Sequence, residues 1–322
     1  MDILISEDLR HPAFDRLAGK FSTVMDATLW KNDAGLQSRV SEARVLVVRN
    51  QTQVTAKLLE AAPRLIGIGR VGVGLDNIDV AAASRLGIVV VAPLNANATS
   101  VAELALGLIL ALARKIPAAD QSTKAGGWDR RSFTGIELDG KVLGVCGFGR
   151  IGRMVAGRAR AFGMRLVVFD PFLKEDSPAL AAAGAALCPR LEDLLGHSDF
   201  VTLHLPLTPE THHLLDARRF EAMKPGSYFI NTSRGGVVEE SALMAALQTG
   251  RLAGAALDVR EVEPPAARTA FETLPNVILT PHIGAFTAEG QQRTFEAVAD
   301  DLERLLTGRP AVNFVNMESP KR

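Results

Sequence analysis

The sequence predicts an α/β protein built from two doubly wound parallel sheets. Three observations carry this prediction. Short β-branched runs alternate with helical patterns along almost the whole chain. Several runs are apolar without interruption, Val45-Leu46-Val47-Val48 among them, as strands buried on both faces must be. The alternation also comes in two series, with a break at Pro93-Leu94-Asn95-Ala96-Asn97. At 322 residues, 47% hydrophobic and 22% charged, the chain has enough apolar material for two cores.

The first series contains expected strands at Ile3–Ser6, Val45–Val48, Leu65–Gly69 and Val89–Ala92, with helices at Thr55–Ala62 and Val80–Leu86. A long helix is expected from Thr99 to Ile116. Its most apolar stretch, Leu104–Ala113, is shorter than the ~18 residues a membrane span needs. The second series has strands at Val142–Cys146, Leu166–Phe169, Phe200–His204, Tyr228–Thr232, Ala255–Asp258 and Val277–Thr280. The alanine-rich Ala179–Ala186 reads as helix. A closing amphipathic helix, Ala288–Leu306, has no strand of its own series to return to, so it is expected to cross back to the first domain. The expected organisation is therefore a first domain of residues 1–98 completed by 286–322, with a second domain, 99–285, inserted between them.

Composition excludes several function classes. Thirty-six basic and 36 acidic residues balance, which leaves no electrostatic footprint for nucleic acid or an anionic membrane. Two cysteines cannot make a disulfide scaffold or a cysteine-rich zinc site. His212-His213 lacks i,i+4 metal spacing and no H-E-x-x-H motif occurs, so no metal is expected. The start Met1-Asp2-Ile3-Leu4-Ile5 has no basic segment and no long apolar one, so a soluble, cytoplasmic protein is the expectation.

Gly147-Phe148-Gly149-Arg150-Ile151-Gly152 fits G-x-G-x-x-G, a weak pattern alone. Its setting makes it specific. The strand Val142–Cys146 leads in and a helix from Ile151 to Phe162 leads out. The next strand ends in Asp170, eighteen residues beyond Gly152. Gly147 permits the tight turn, Gly149 lets backbone approach a pyrophosphate, and Gly152 lets helix pack on strand. The helix N-terminus offers free N–H groups and partial positive charge to phosphates. Asp170 can accept from both adenine-ribose hydroxyls and would repel a 2′-phosphate, so NAD is expected over NADP.

Three polar residues stand at strand ends of the second series: Arg234 in Asn231-Thr232-Ser233-Arg234-Gly235, Glu263 before Pro264-Pro265, and His282 in Pro281-His282-Ile283-Gly284. Ligands of open α/β sheets bind beyond the carboxyl ends of strands. Hydride transfer to a ketone creates an alkoxide that needs a proton donor poised near neutrality, and histidine is the natural one. A neighbouring carboxylate fixes its tautomer, and a planar guanidinium matches a 2-oxo acid. Each residue singly has an ordinary structural explanation; together, after a dinucleotide fingerprint, they read as a site for 2-hydroxy acid chemistry. In the first series, the amides of Arg70-Val71-Gly72-Val73-Gly74 form either an anion nest or a tight strand–helix connection.

These motifs resemble the D-isomer-specific 2-hydroxyacid dehydrogenase family, within it most closely the short-form 3-phosphoglycerate type. The resemblance runs from about Leu65 to Arg293, through Gly67–Asp79, Ser100-Val101-Ala102-Glu103, the glycine loop, Asn231–Gly236, Asp258–Pro264 and Pro281–Gly284. It implies a Rossmann nucleotide-binding domain inserted into a flavodoxin-like substrate domain, with NAD in a cleft closed by a hinge. It implies His282 as the acid/base, Glu263 as its partner and Arg234 as a substrate ligand. Cofactor contacts are expected from Gly147, Gly149, Arg150, Ile151, Gly152, Asp170, Thr232 and Asp258, the last near the nicotinamide. Substrate contacts are expected from Arg70, Val71, Gly72, Val73, Gly74, Asn97 and Arg234. A homodimer through the nucleotide-binding domain is implied as well. Trp128-Asp129-Arg130-Arg131 resembles a segment that lends basic residues to a neighbouring site, although a solvated basic pair fits Arg130 and Arg131 equally.

The expected activity is NAD-dependent hydride transfer at C2 of a small anionic D-2-hydroxy or 2-oxo acid, with 3-phosphoglycerate/3-phosphohydroxypyruvate first. The alternatives are hydroxypyruvate or glyoxylate reduction, another 2-hydroxy acid, or, in a different class, an NAD-sensing corepressor-like binding protein. Two departures bear on this. Phe286 stands where the phosphoglycerate type has a small hydroxyl residue, and Val73 where phosphite-oxidising relatives have lysine. Ending at Arg322, the chain is expected to lack the regulatory domain of longer relatives and the serine feedback that domain would carry.

Overall fold

Four short segments dominate the first sheet: Ile3–Ile5, Val45–Val48, Gly67–Arg70 and Val89–Val91 are buried at every position. In the computed structural model, which describes all 322 residues, the chain divides into two units, Met1–Asn97 with Ala285–Arg322, and Ala98–Gly284. These limits fall one residue ahead of the boundaries expected from sequence.

The first unit contains β1 (Ile3–Ile5), α1 (Pro12–Ala18), β2 (Thr23–Met25), α2 (Asp33–Val40), β3 (Val45–Val48), α3 (Ala56–Glu60), β4 (Gly67–Arg70), α4 (Val80–Arg85) and β5 (Val89–Val91). All its strand pairs are parallel, in the order β2-β1-β3-β4-β5, the flavodoxin-like order. The closing helix Ala288–Leu306 belongs to this unit, as expected. It starts at Thr287, whose side chain accepts from the Gly290 N–H. Its apolar face, Phe295, Val298, Ala299, Leu302, Leu305 and Leu306, is buried. The glycines of β4 explain how close it comes. A Cβ on Gly67 would lie 2.7 Å from Leu305 Cδ1, and one on Gly69 2.8 Å from Val298 Cγ1. Buried Asp301 then accepts from the Val312 and Asn313 amides and the Asn313 side chain, which pins the tail.

The second unit contains α5 (Ala98–Ala113), α6 (Ile116–Lys124), β6 (Val142–Cys146), α7 (Arg150–Ala161), β7 (Arg165–Phe169), α8 (Pro178–Ala183), β8 (Ala185–Leu187), α9 (Leu191–His197), β9 (Phe200–Leu203), α10 (Ala217–Ala222), β10 (Ser227–Asn231), α11 (Glu240–Gln248), β11 (Leu252–Leu257) and β12 (Val277–Leu279). Its seven parallel strands run β12-β11-β10-β9-β6-β7-β8. The order reverses between β9 and β6, which makes that crevice the switch point where ligands bind. Apolar residues of α5, α7 and the strands fill one face, and those of α9, α10 and α11 the other. No helix is long and apolar enough to cross a membrane.

Two expectations need correction. The alanine-rich stretch is not helical to Ala186: Gly184, in the left-handed conformation (φ 63°), ends α8, and Ala185–Leu187 pair with β7 as an edge strand. Alanine is a strong helix former, but a strand partner overrides that propensity. The long helix also stops early, at Ala113. Lys115 turns left-handed (φ 53°), and α6 starts afresh with a proline in its first turn.

Candidate active site

The chemistry-bearing loops of the second unit all leave the carboxyl ends of its strands. β11 runs into Asp258, which is buried to 1% exposure. Its carboxylate accepts from Thr280 Oγ1 (2.6 Å), the Ile283 N–H (2.8 Å) and the Gly284 N–H (2.8 Å). Its backbone carbonyl accepts from the His282 N–H (2.8 Å). Four bonds to one residue thus fix the loop after β12 and hold His282 in a left-handed backbone, φ 54°. For a non-glycine residue that conformation costs about 1–2 kcal/mol, and it persists because the surroundings over-determine it. A Cβ on Gly284 would lie 3.0 Å from Asp258 Oδ2, so a side chain there would crowd the carboxylate. Asp258, expected at the cofactor, thus anchors the histidine loop with both carboxylate oxygens, and Oδ2 accepts only one of these bonds.

His282 Nδ1 and Glu263 Oε2 are 2.6 Å apart. Glu263 also accepts the Arg260 N–H on its other oxygen (2.9 Å). Burial pushes the Glu263 carboxyl upward, but the His282 and Arg260 hydrogen bonds and the charges of His282 and Arg234 outweigh it and hold the pKa below the usual range. An ionised Glu263 accepts from Nδ1–H, which turns the Nε2 lone pair outward. The side chains of His282 and Glu263 keep 45% and 33% exposure, so the pair opens to solvent.

Arg234 follows β10. Asn231 builds its turn: the amide donates to the Arg234 carbonyl (2.9 Å), while its oxygen accepts from the Ser233 N–H and hydroxyl. A Cβ on Gly235 would collide with the Arg260 backbone, so the two loops lie directly against each other. Arg260 is clamped by Glu240 and Glu272 and stacked on Phe271, which makes this contact rigid. The structure therefore brings the imidazole, carboxylate and guanidinium together within one unit.

The glycine loop lies between β6 and α7. Gly147 is left-handed (φ 88°), and a Cβ there would meet the His204 carbonyl at 2.5 Å. A Cβ on Gly152 would collide with the Gly147 carbonyl, whereas one on Gly149 would meet nothing within 4 Å. Asp170 follows β7, and its two oxygens accept the Phe148 N–H (2.8 Å) and the Phe172 N–H (3.0 Å). It thereby braces the loop and retains a lone pair on each oxygen. Cys146 is buried beneath, and burial raises its thiol to about 12, which makes it inert packing.

In the first unit, Arg70 ends β4 and is buried, its Nη1 donating to the Val71 carbonyl (2.8 Å). A Cβ on Gly72 (φ 146°) would collide with that guanidinium. Asn97, also buried, is the last residue of this unit before α5. Sequence reasoning passed over two residues nearby. Buried Glu7 accepts four consecutive amides, Arg49 to Thr52, and so shapes the loop after β3. Arg49 lies against the Phe286 ring, 4.3 Å from its centroid, and donates to Gln291. Their signal was an acid after β1 and a base after β3, both at strand carboxyl ends.

His204 was also missed. It follows β9 beside the glycine loop, bonds Thr202 through Nε2 (3.1 Å), and leaves buried Nδ1 without a partner. Burial drives its pKa down to about 3, so it is neutral.

The model of the D-isomer specific 2-hydroxyacid dehydrogenase NAD-binding domain matches residues 106–284, more than half of the chain. The chain belongs to the D-isomer specific 2-hydroxyacid dehydrogenase family. It is 44% identical to a D-3-phosphoglycerate dehydrogenase of Methanocaldococcus jannaschii over 98% of its own length and 59% of that protein's. It is 42% identical to the enzyme of that name from Rattus norvegicus, over 98% of this chain and 58% of the relative. The chain thus spans little more than half the length of these curated relatives. Among solved structures, the TT0316 protein from Thermus thermophilus superposes with a TM-score of 0.90 at 36% identity, covering 98% of this chain and all of that one. D-lactate dehydrogenase from Aquifex aeolicus, solved with NAD and lactic acid, superposes at 0.88 with 30% identity, over 99% and 100% of the two chains.

For this member of the family, the residues present fit NAD. Gly149 leaves open space where any side chain would stand, and no side chain caps the N-terminus of α7. Thr232 Oγ1, at the end of β10, is buried without a partner, an orphan that a polar ligand group would satisfy.

Proposed function

We propose that this chain is an NAD-dependent oxidoreductase acting at C2 of a small D-2-hydroxy or 2-oxo acid, with 3-phosphoglycerate/3-phosphohydroxypyruvate the leading pair. The observation that carries the proposal is the 2.6 Å contact of His282 Nδ1 with Glu263 beside Arg234. NAD, when bound, supplies the hydride acceptor or donor. Gly147, Gly149, Arg150, Ile151 and Gly152 would hold its pyrophosphate on loop and helix amides, Asp170 would take the ribose hydroxyls, and Thr232 would offer its hydroxyl to a polar group of the cofactor.

His282 Nε2 removes the hydroxyl proton as the acid is oxidised and returns it to the nascent alkoxide in reduction. Glu263 keeps Nδ1 protonated and stabilises the imidazolium. Arg234 offers its planar fork to the carboxylate and the 2-oxygen. Asp258 acts through the loop it anchors. In the first unit, the loop Arg70–Gly74 and Asn97 are proposed as further substrate contacts. A homodimer through the NAD-binding unit is proposed too; the 116–131 segment supports it, with Ile116 and Trp128 exposed.

One observation favours a second substrate class. Phe286 covers one face of the Arg49 guanidinium at the end of β3, which removes part of a cation that a phosphate would seek. Hydroxypyruvate or glyoxylate would not need it. NADH oxidation with 3-phosphohydroxypyruvate, hydroxypyruvate, glyoxylate and pyruvate distinguishes these readings. Turnover with any of them, lost in His282→Ala while NADH still binds, is the expected result. No turnover with any would point instead to an NAD-sensing protein.

A further inference from the structure

Apart from the site above, one cluster of metal-ligating side chains is assembled on the second unit. His212 and His213 close the turn after β9, and Glu261 lies on the loop after β11. Ligand atoms of all three residues lie within 4.8 Å of one another. His213 Nε2 and Glu261 Oε1 are 2.6 Å apart, and the two imidazoles stack with centroids 4.0 Å apart. We propose that His212, His213 and Glu261 form a binding site for a divalent transition metal of the zinc class.

The donor set decides the class of ion. Two imidazoles and one carboxylate suit Zn²⁺, Co²⁺, Ni²⁺ or Cu²⁺, whereas Mg²⁺ and Ca²⁺ want oxygen ligands. Three protein ligands leave a position for water.

Both halves of the site are held from behind, as ligand-bearing loops must be. On one side the turn is internally bonded: the Thr208 N–H donates to Thr211 Oγ1 and the Thr211 hydroxyl to the Pro206 carbonyl. The His213 N–H donates to the Gly236 carbonyl (2.8 Å), which seats the turn on the segment after Arg234. On the other side the Glu261 N–H donates to Glu240 Oε1 (2.9 Å), and the same carboxylate clamps Arg260. His212 and Glu261 are exposed, so an ion reaches the site from solvent and the side chains can open to ligand distances. Each of the three residues is on a loop rather than a helix, which is why i,i+4 spacing in the sequence does not disclose it.

A bound ion would cross-link the turn after β9 to the loop that carries Glu263, two residues beyond Glu261. The site therefore raises thermal stability when filled. The test uses the untagged full chain, stripped with chelator and titrated with Co²⁺, then with Zn²⁺ in competition. The expected result is one Co²⁺ per chain with visible d–d absorption, displaced by one Zn²⁺, and a Zn²⁺-dependent rise in Tm. His212→Ala and Glu261→Gln should each weaken binding at least about tenfold, the double variant should show neither the absorption nor the Tm rise, and His197→Ala should match wild type. No saturable Co²⁺ in wild type, undiminished binding by the double variant, or loss in His197→Ala would each overturn the assignment.

Discussion

Replacing Glu263 with glutamine removes one charge and almost no volume, so it isolates what the carboxylate does for His282. At about 4 Å between charge centres and an effective dielectric near 20, the attraction to an imidazolium is about 4 kcal/mol. The two side chains are 45% and 33% exposed, and solvent screening removes roughly half of this, leaving about 2 kcal/mol. That is about a 30-fold loss in rate. Glutamine can also donate its amide to Nδ1, which would turn the lone pair inward and leave Nε2 protonated; this adds to the loss. We therefore expect Glu263→Gln to lower kcat at least about 30-fold at neutral pH, with KM for NADH unchanged, and Glu263→Asp to recover part of it. Steady-state NADH oxidation with the best substrate of the panel measures both constants. A Glu263→Gln enzyme with kcat within about twofold of wild type would refute the electrostatic reasoning, since about 0.4 kcal/mol cannot represent a charge at hydrogen-bond distance.

Further outcomes follow from the same geometry. Gly149→Ala should leave Tm unchanged, because a Cβ there meets nothing within 4 Å, yet raise the Kd for NADH about tenfold or more by obstructing the phosphates. Gly152→Ala should instead lower stability by about 2 kcal/mol or more, since its Cβ collides with the Gly147 carbonyl; thermal melts of both variants check the contrast. Asp258→Ala leaves a hydroxyl and two amides without their acceptor, and should cost about 3 kcal/mol in denaturant unfolding and most of kcat. For pH, Glu263 titrates lower folded than its ordinary 4.5. Its stabilisation is present above that value and disappears as pH falls through the lower folded one, so the unfolding free energies of wild type and Glu263→Gln should converge in acid. Phe286→Ser uncovers the Arg49 face and should raise kcat/KM for 3-phosphohydroxypyruvate relative to glyoxylate; an unchanged ratio would remove Phe286 from substrate selection.

What could be read from the chain alone was whatever its local pattern expresses. Uninterrupted apolar runs marked the buried strands, because parallel strands covered on both faces tolerate nothing else. The glycine loop and Asp170 were legible because a tight turn, a helix start and a strand-end acid lie close in sequence. Weakly patterned edge strands were not legible. Thr23–Met25 is half-exposed, and the strand Ala185–Leu187 begins inside the alanine-rich stretch that reads as helix to Ala186, since only a neighbouring strand makes such segments extended.

The site divides in the same way. His282, Glu263 and Arg234 stood out by residue type at strand ends, but their meeting spans nineteen residues between His282 and Glu263 and depends on loops packed across neighbouring strands. Sequence alone determined which chemistry-bearing residue types the chain carries and at which ends of its strands. Only the tertiary structure decided that Asp258 turns inward to pin the histidine loop, that Glu7 gathers four amides, and that His212, His213 and Glu261 face one another. Hydrogen bonds and close packing between residues distant in the chain are set by three-dimensional neighbours, and no local periodicity encodes them.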